Sequence, residues 1–146
     1  MASLWRYVLA VLGLLAVLFG ILAAAYLHGA GQGGPDLSRT RKTDGGLFVA
    51  TLAPASGAVR QGELQSWMLT LKTPNGAPVE NAAIDISGGM PQHNHGLPTS
   101  PQMADYLGQG HYRIDGVKFT MSGWWQLHLS ISAAAGSDTV VFNIVL

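Results

Sequence analysis

The sequence contains no cysteine among its 146 residues. Disulfide bonds, thiolate metal sites and a cysteine nucleophile are therefore excluded. Any metal centre in this protein has to use other donor side chains. The absence of cysteine does not identify a cellular compartment.

Charged side chains are also scarce, at 11% of the chain, with eight cationic and eight acidic residues. A soluble domain averages about 25% charged residues. Because the charges balance, the chain has no basic field for nucleic acid. It also lacks the high net charge that keeps disordered chains unfolded.

The shortage of charge has a clear source near the N-terminus. From Tyr7 to Leu27 the chain reads YVLAVLGLLAVLFGILAAAYL, without a charged residue. About 20 apolar residues in a helix span the hydrocarbon core of a bilayer. Trp5, Tyr7 and Tyr26 resemble interfacial aromatic anchors. We therefore expect residues 1–27 to form a transmembrane anchor.

A cleaved signal peptide is the competing interpretation, because residues 23–25 are three small alanines. The apolar run is longer than the 7–15 residues of an ordinary signal peptide core, which favours an uncleaved anchor. Arg6 favours a cytoplasmic N-terminus, which Arg39, Arg41 and Lys42 partly oppose. We expect a single-pass protein of the bacterial inner membrane with its C-terminal domain in the periplasm.

The composition of the chain changes twice after this apolar run. Residues 28–45 are rich in glycine and polar residues, which predicts a flexible linker. Residues 46–146 contain short runs with period-two alternation, separated by turn signals such as PNGAP and AGSD. This pattern predicts an all-β domain, an immunoglobulin-like β-sandwich. Its core should include the alternating apolar residues Ile84, Ile86, Trp125, Leu127, Leu129, Ile131, Phe142, Ile144 and Leu146.

The most unusual segment is GGMPQHNHGLPTSPQ, residues 88–102. Met90, His93 and His95 place one thioether and two imidazoles within a short stretch. His93 and His95 are two residues apart, so in an extended backbone they point the same way. Thioether and imidazole without carboxylate or thiolate favour copper over zinc, calcium or magnesium. The thioether suits Cu(I), and two imidazoles also suit Cu(II).

A further ligand is needed to complete such a site. Met121 is the best candidate, because it lies in a turn before the strand that carries Trp124 and Trp125. Met103 and His111 are weaker candidates for additional ligands. The prolines of residues 88–102 oppose regular strand pairing, so we expect a long, restricted connection at one end of the sandwich.

Each of these residues also has an ordinary structural interpretation. The histidines of the segment are compatible with a solvated loop. Met90 and Met121 are compatible with packing at the end of the core. His128 lies on the polar face of its strand, where an exposed position without a function is expected.

Other chemistries fit the sequence less well. The glycine pairs do not lie between a strand and a helix, as a phosphate-binding loop requires. The serines show no nucleophile-elbow pattern. We therefore expect a binding protein and not an enzyme.

The quoted segment, together with GHYRIDGVKFTMSGWW at residues 110–125 and TVVFNIVL at residues 139–146, resembles the YtkA-like, FixH-related family of membrane-anchored domains. The resemblance covers roughly residues 46–146. It implies an immunoglobulin-like sandwich that faces the periplasm, and a link to copper handling and to assembly of haem–copper oxidases. The implied ligands are Met90, His93, His95 and Met121. The segment matches the YtkA-like pattern better than that of the FixH-type proteins linked to an oxidase.

Two functions follow as hypotheses. The first is a membrane-tethered periplasmic copper-binding protein in copper delivery or respiratory oxidase assembly, with a membrane protein or oxidase as its partner. The alternative is an accessory or interaction subunit of a bacterial membrane complex that holds no metal. A receptor for a small ligand at the sandwich end is a third interpretation.

Overall fold

The structure, a computed structural model, describes residues 2–29 and 34–146. It divides into two units, Met1–Gly34 and Pro35–Leu146. The secondary structure elements are α1 (Ala2–Gly29), β1 (Thr40–Lys42), β2 (Val49–Pro54), β3 (Leu64–Lys72), β4 (Ala83–Met90), β5 (His95–Gly96), β6 (Gln102–Gly108), β7 (His111–Lys118), β8 (Trp124–Ala133) and β9 (Gly136–Val145).

The first unit contains α1, which is rich in leucine and alanine, both strong helix formers. The residues from 11 to 22 are all uncharged and exposed. Within the described part of the chain, no helix has both the length and the apolar character needed to cross a membrane, which does not support the transmembrane anchor predicted over residues 1–27.

The second unit is an antiparallel all-β domain, as predicted from the alternation. Its strands follow one another in the order β1-β2-β3-β7-β6-β4-β8-β9, and β5 pairs with β4. β4 and β6 are joined by a single residue pair, Asp85↔Gln102, so the sheet opens there into two halves. The two ends of this strand order also meet, because the N–H of Asp44, just after β1, donates to the carbonyl oxygen of Thr139 in β9 over 2.8 Å. The result is a sandwich- or barrel-like sheet folded around one core.

Large aromatic residues occupy the centre of this core. Trp67 packs edge-to-face on Phe119 at a ring distance of 6.2 Å, and Phe119 contacts Trp125 at 5.4 Å. Edge-to-face and tilted ring pairs stabilise a core beyond their buried area. The predicted core residues Ile84, Trp125, Leu127, Leu129, Ile131, Phe142 and Ile144 are all buried, and Ile86 and Leu146 pack against them in part.

The ordered domain begins earlier than the sequence suggested. β1 lies inside the segment that we expected to be a flexible linker, and Thr40 pairs with Thr51 of β2. The carboxylate of Asp138 accepts hydrogen bonds from the N–H groups of Gly45 and Leu47 over 2.8 and 3.0 Å. β1 was not predicted because, like other short edge strands, it carries polar residues and no apolar alternation.

Candidate metal site

Met90 ends β4, and the chain then turns tightly and does not run on as an extended loop. Met90 pairs with His95 of β5, and residues 91–94 form the turn between them. The N–H of His93 donates to the carbonyl oxygen of Met90 over 3.2 Å. Asn94 has a φ of 51°, a left-handed conformation that asparagine tolerates. The segment is a β-hairpin that closes the end of the sheet.

This hairpin corrects two expectations. His93 lies in the turn and His95 in β5, so the two imidazoles do not share one face of an extended strand. The prolines do not prevent pairing, because Pro91 and Pro98 lie on either side of β5 and not within it. A strand of two residues therefore fits between them.

Gly88 and Gly89 allow the backbones to approach closely at this end of β4. A Cβ at Gly88 would overlap the carbonyl oxygen of Gln126, and a Cβ at Gly89 would overlap that of His95. Any larger residue would push the neighbouring strand or the hairpin away. Gly88 lies on the same face of β4 as Ile86 and Met90, and Gly89 lies on the opposite face, beside Gln126.

An open groove of about 270 Å³ lies over these glycines. It is bounded by β8 on one side of β4 and by the hairpin on the other. The groove is lined by Gly88, Gly89, Met90, Pro91, Asn94, His95, Gly96, Gln126 and His128. None of these lining residues carries a formal charge at neutral pH with histidine neutral, so the groove contains no carboxylate for a hard cation.

The loop that carries the predicted ligand Met121 meets the Met90 side chain at Gly123. The methyl carbon of Met90 is 3.0 Å from the position that a Cβ of Gly123 would occupy, so the 119–123 loop contacts the Met90 side chain. The indole Nε1 of Trp125 donates to the carbonyl oxygen of Met121 over 3.0 Å and holds this loop. Met90 is only 2% exposed, whereas Met121 is 40% exposed. Met90 is therefore buried where it lines the groove, whereas Met121 is partly exposed and is not among the lining residues.

The two weaker candidates lie elsewhere. Met103 is on β6 and lines a separate cavity between β4 and β6. His111 begins β7, and its Nδ1 lies 3.0 Å from the hydroxyl oxygen of Thr70. The 119–123 loop follows the other end of β7, whose eight residues span roughly 25 Å. The structure thus brings neither residue to the hairpin.

In the described residues, no group of three or more histidine, cysteine, aspartate or glutamate side chains converges on one point. A metal ion at the hairpin therefore needs thioether donors beside imidazole. That combination fits copper and does not fit calcium or magnesium.

One residue that lines the groove was not among the predicted ligands. His128 was expected to be merely exposed on the polar face of β8, and it is exposed, but it also lines the groove with His95. The register places His128 opposite Ser87 of β4, only two residues from Gly89. Only the pairing of β8 with β4 makes this proximity visible. The sequence signal for it was that Gln126 and His128 alternate with apolar residues and therefore share the polar face of the strand.

The fold and this site define a small all-β domain that carries a hairpin with two imidazoles, of His93 and His95, and one thioether, of Met90. A model of the family described as YtkA-like matches residues 49–130, more than half of the chain. The chain belongs to the YtkA-like family. No curated protein and no solved structure matches it significantly.

Proposed function

We propose that this protein is a copper-binding protein of the bacterial periplasm that delivers copper or helps to assemble a respiratory oxidase. The observation that carries the proposal is the uncharged groove at the β4–β5 hairpin, which is lined by His95 and by Met90. Imidazole and thioether are ligands that copper prefers. The protein acts by binding and transfer, without catalysis.

The predicted ligands have different roles in this proposal. His95 in β5 and the thioether of Met90 lie at the hairpin itself, and Met121 belongs to the loop whose Gly123 lies against the Met90 side chain. His93 stands exposed in the turn. A thioether-rich set stabilises Cu(I), and the imidazoles also accept Cu(II). Because several of these donors are exposed, a partner's ligands have access to the ion and can exchange with them.

We further propose that the domain belongs to the immunoglobulin-like sandwiches and that α1 holds it at the inner membrane. The uncharged, exposed residues from 11 to 22 support association with a lipid surface. Cell fractionation tests this proposal, with the full chain expected in the membrane fraction and a variant without residues 2–29 expected in the soluble fraction. A full chain found in the soluble fraction would contradict it.

Copper titration of the full chain in detergent tests the binding function. Cu(I) is titrated against a competing chelator and Cu(II) is titrated separately, and the expected result is one tightly bound equivalent. The double variant His93→Ala/His95→Ala should lose that equivalent. His111→Ala is the matched control, because His111 is an exposed histidine at the other end of β7.

Two results would overturn the copper function. One is the absence of tight copper binding by the native chain, and the other is binding that is unchanged in the double variant. Co-purification of the double variant with large membrane proteins would then favour the accessory subunit that holds no metal.

A further inference from the structure

Methionine supplies all of the sulfur in this protein. The chain contains five methionines and no cysteine. The oxidation chemistry of sulfur, which cysteine carries in many proteins, is therefore left to thioethers, which oxidants convert to sulfoxides. Which thioether reacts depends on whether the oxidant can reach its sulfur atom.

The described methionines differ strongly in exposure. Met90 is 2% exposed, and Met68 and Met103 are half-buried within β3 and β6. Met121, in the loop before β8, is 40% exposed. Among the methionines that the structure describes, Met121 therefore presents the sulfur that a small oxidant reaches most easily.

The loop around Met121 is held by contacts that do not involve this sulfur. The indole Nε1 of Trp125 donates to the carbonyl oxygen of Met121 over 3.0 Å. The side-chain Nε2 of Gln61 donates to the carbonyl oxygen of the preceding residue, Thr120, over 3.0 Å. Both acceptors are main-chain oxygens, so both bonds remain available when the sulfur is oxidised.

The same modification has opposite consequences at Met121 and at Met90. A sulfoxide is polar, whereas a thioether is apolar. At Met121 the added oxygen faces solvent, because the side chain is exposed. At Met90 it would be a polar atom in the core, where a group without a hydrogen-bond partner is costly. Only Met121 combines access for the oxidant with tolerance of the product.

We propose that Met121 is an oxidation site at which a peroxide reversibly converts the thioether to a sulfoxide while the domain stays folded. The sulfur attacks one peroxide oxygen, an S–O bond forms as the O–O bond breaks, and the other oxygen leaves as water. The sulfur is oxidised and the peroxide is reduced. A methionine sulfoxide reductase reverses the step with a dithiol, which becomes a disulfide as the oxygen leaves as water. This inference goes beyond the proposed copper function and does not depend on it.

Hydrogen peroxide treatment of the full chain in detergent tests the site, with tandem mass spectrometry to locate each added oxygen. We expect Met121 to be oxidised at least about tenfold faster than Met90, because oxidation follows the exposure of the sulfur. Met121→Leu should remove the fast reaction, and the control Met103→Leu should retain it. Reductases for both sulfoxide epimers, supplied with a dithiol, should restore the Met121 thioether.

A second measurement asks whether the fold survives the modification. The chain oxidised at Met121 should unfold at the same denaturant concentration as the untreated chain, as followed by tryptophan fluorescence. Oxidation of Met90 at the same rate as Met121 would overturn the inference. So would a chain that loses its stability when Met121 alone is oxidised.

Discussion

The methyl carbon of Met90 lies 3.0 Å from the point where a Cβ of Gly123 would stand, so two loops that are distant in sequence meet at the end of the sandwich. Met90 ends β4, and Gly123 immediately precedes β8. Gly123 also has a φ of 119°, a conformation that residues with a Cβ rarely adopt. Met121 lies two residues before this contact in the same loop.

Gly123→Ala should therefore destabilise the protein through both backbone strain and the contact with Met90. Strained backbone of this kind costs about 1–3 kcal/mol. Chemical unfolding followed by tryptophan fluorescence measures the loss. Gly57→Ala is the control, because Gly57 has a φ of 63° but nothing within 4 Å of its Cβ position. Equal losses in the two variants would show that the Met90 contact has no energetic effect.

Met90 should contribute both volume and a sulfur atom, and two variants separate these contributions. Met90→Leu keeps the volume and should cost less than about 1.5 kcal/mol of unfolding free energy. Met90→Ala opens a cavity in the core and should cost about 2–5 kcal/mol. If the thioether is a ligand, Met90→Leu should lose Cu(I) affinity while it stays folded. Unchanged Cu(I) affinity in Met90→Leu would restrict Met90 to packing.

Asp138 should make the stability of the domain fall at low pH. The side chain of Thr43 and the N–H groups of Gly45 and Leu47 hydrogen-bond its carboxylate and lower its pKa from 3.8 to about 2. Because the pKa is lower in the folded state, the stabilisation is complete above about pH 4 and is lost as the pH falls towards 2. Unfolding measured across this range should show the decline.

Asp138→Asn tests the origin of that decline. The variant should be less stable than the native protein at neutral pH, and the difference should disappear near pH 2. Asp85→Asn, which changes an exposed carboxylate on β4, is the control and should leave the profile unchanged. A difference between Asp138→Asn and the native protein that persists undiminished at pH 2 would contradict the assignment.

Tyr112 and Tyr106 together test how much the hydrogen bonds of a buried hydroxyl group contribute to the stability of the fold. The hydroxyl of Tyr112 donates to the carbonyl oxygen of Val79 over 2.7 Å and accepts from the N–H of Ala82 over 3.0 Å. Tyr112→Phe leaves both groups without this partner and should cost about 1–3 kcal/mol in unfolding free energy. The buried hydroxyl of Tyr106 has no hydrogen-bond partner among the described residues. Tyr106→Phe should therefore be neutral or stabilising, and a similar loss in both variants would contradict this account.

The strands of the core were predictable because their alternation is local. In WWQLHLSIS, every second side chain is apolar, and the structure buries that set from Trp125 to Ile131. The short strands β1 and β5 were not predictable in the same way. Their residues carry no apolar period, and they become strands only because a neighbouring edge, β2 or β4, is available to pair with them.

The candidate site was predictable only in part. The chemistry of Met90 and His95 was visible in the segment itself, and so was the candidacy of Met121. The position of His128 beside the hairpin was not, since it follows from the register that sets Ser87 opposite His128. Register is a non-local property, because it depends on which strands pair across the whole sheet.

By itself, the sequence determined the all-β class, the membership of the main core and the type of donor atoms near residue 90, because alternation and side-chain chemistry are carried by the residues themselves. Only the tertiary structure decided which residues line one groove and which loop contacts Met90. These features depend on strand order, on the close approach allowed by Gly88 and Gly89, and on hydrogen bonds between distant residues. No short stretch of sequence contains that information.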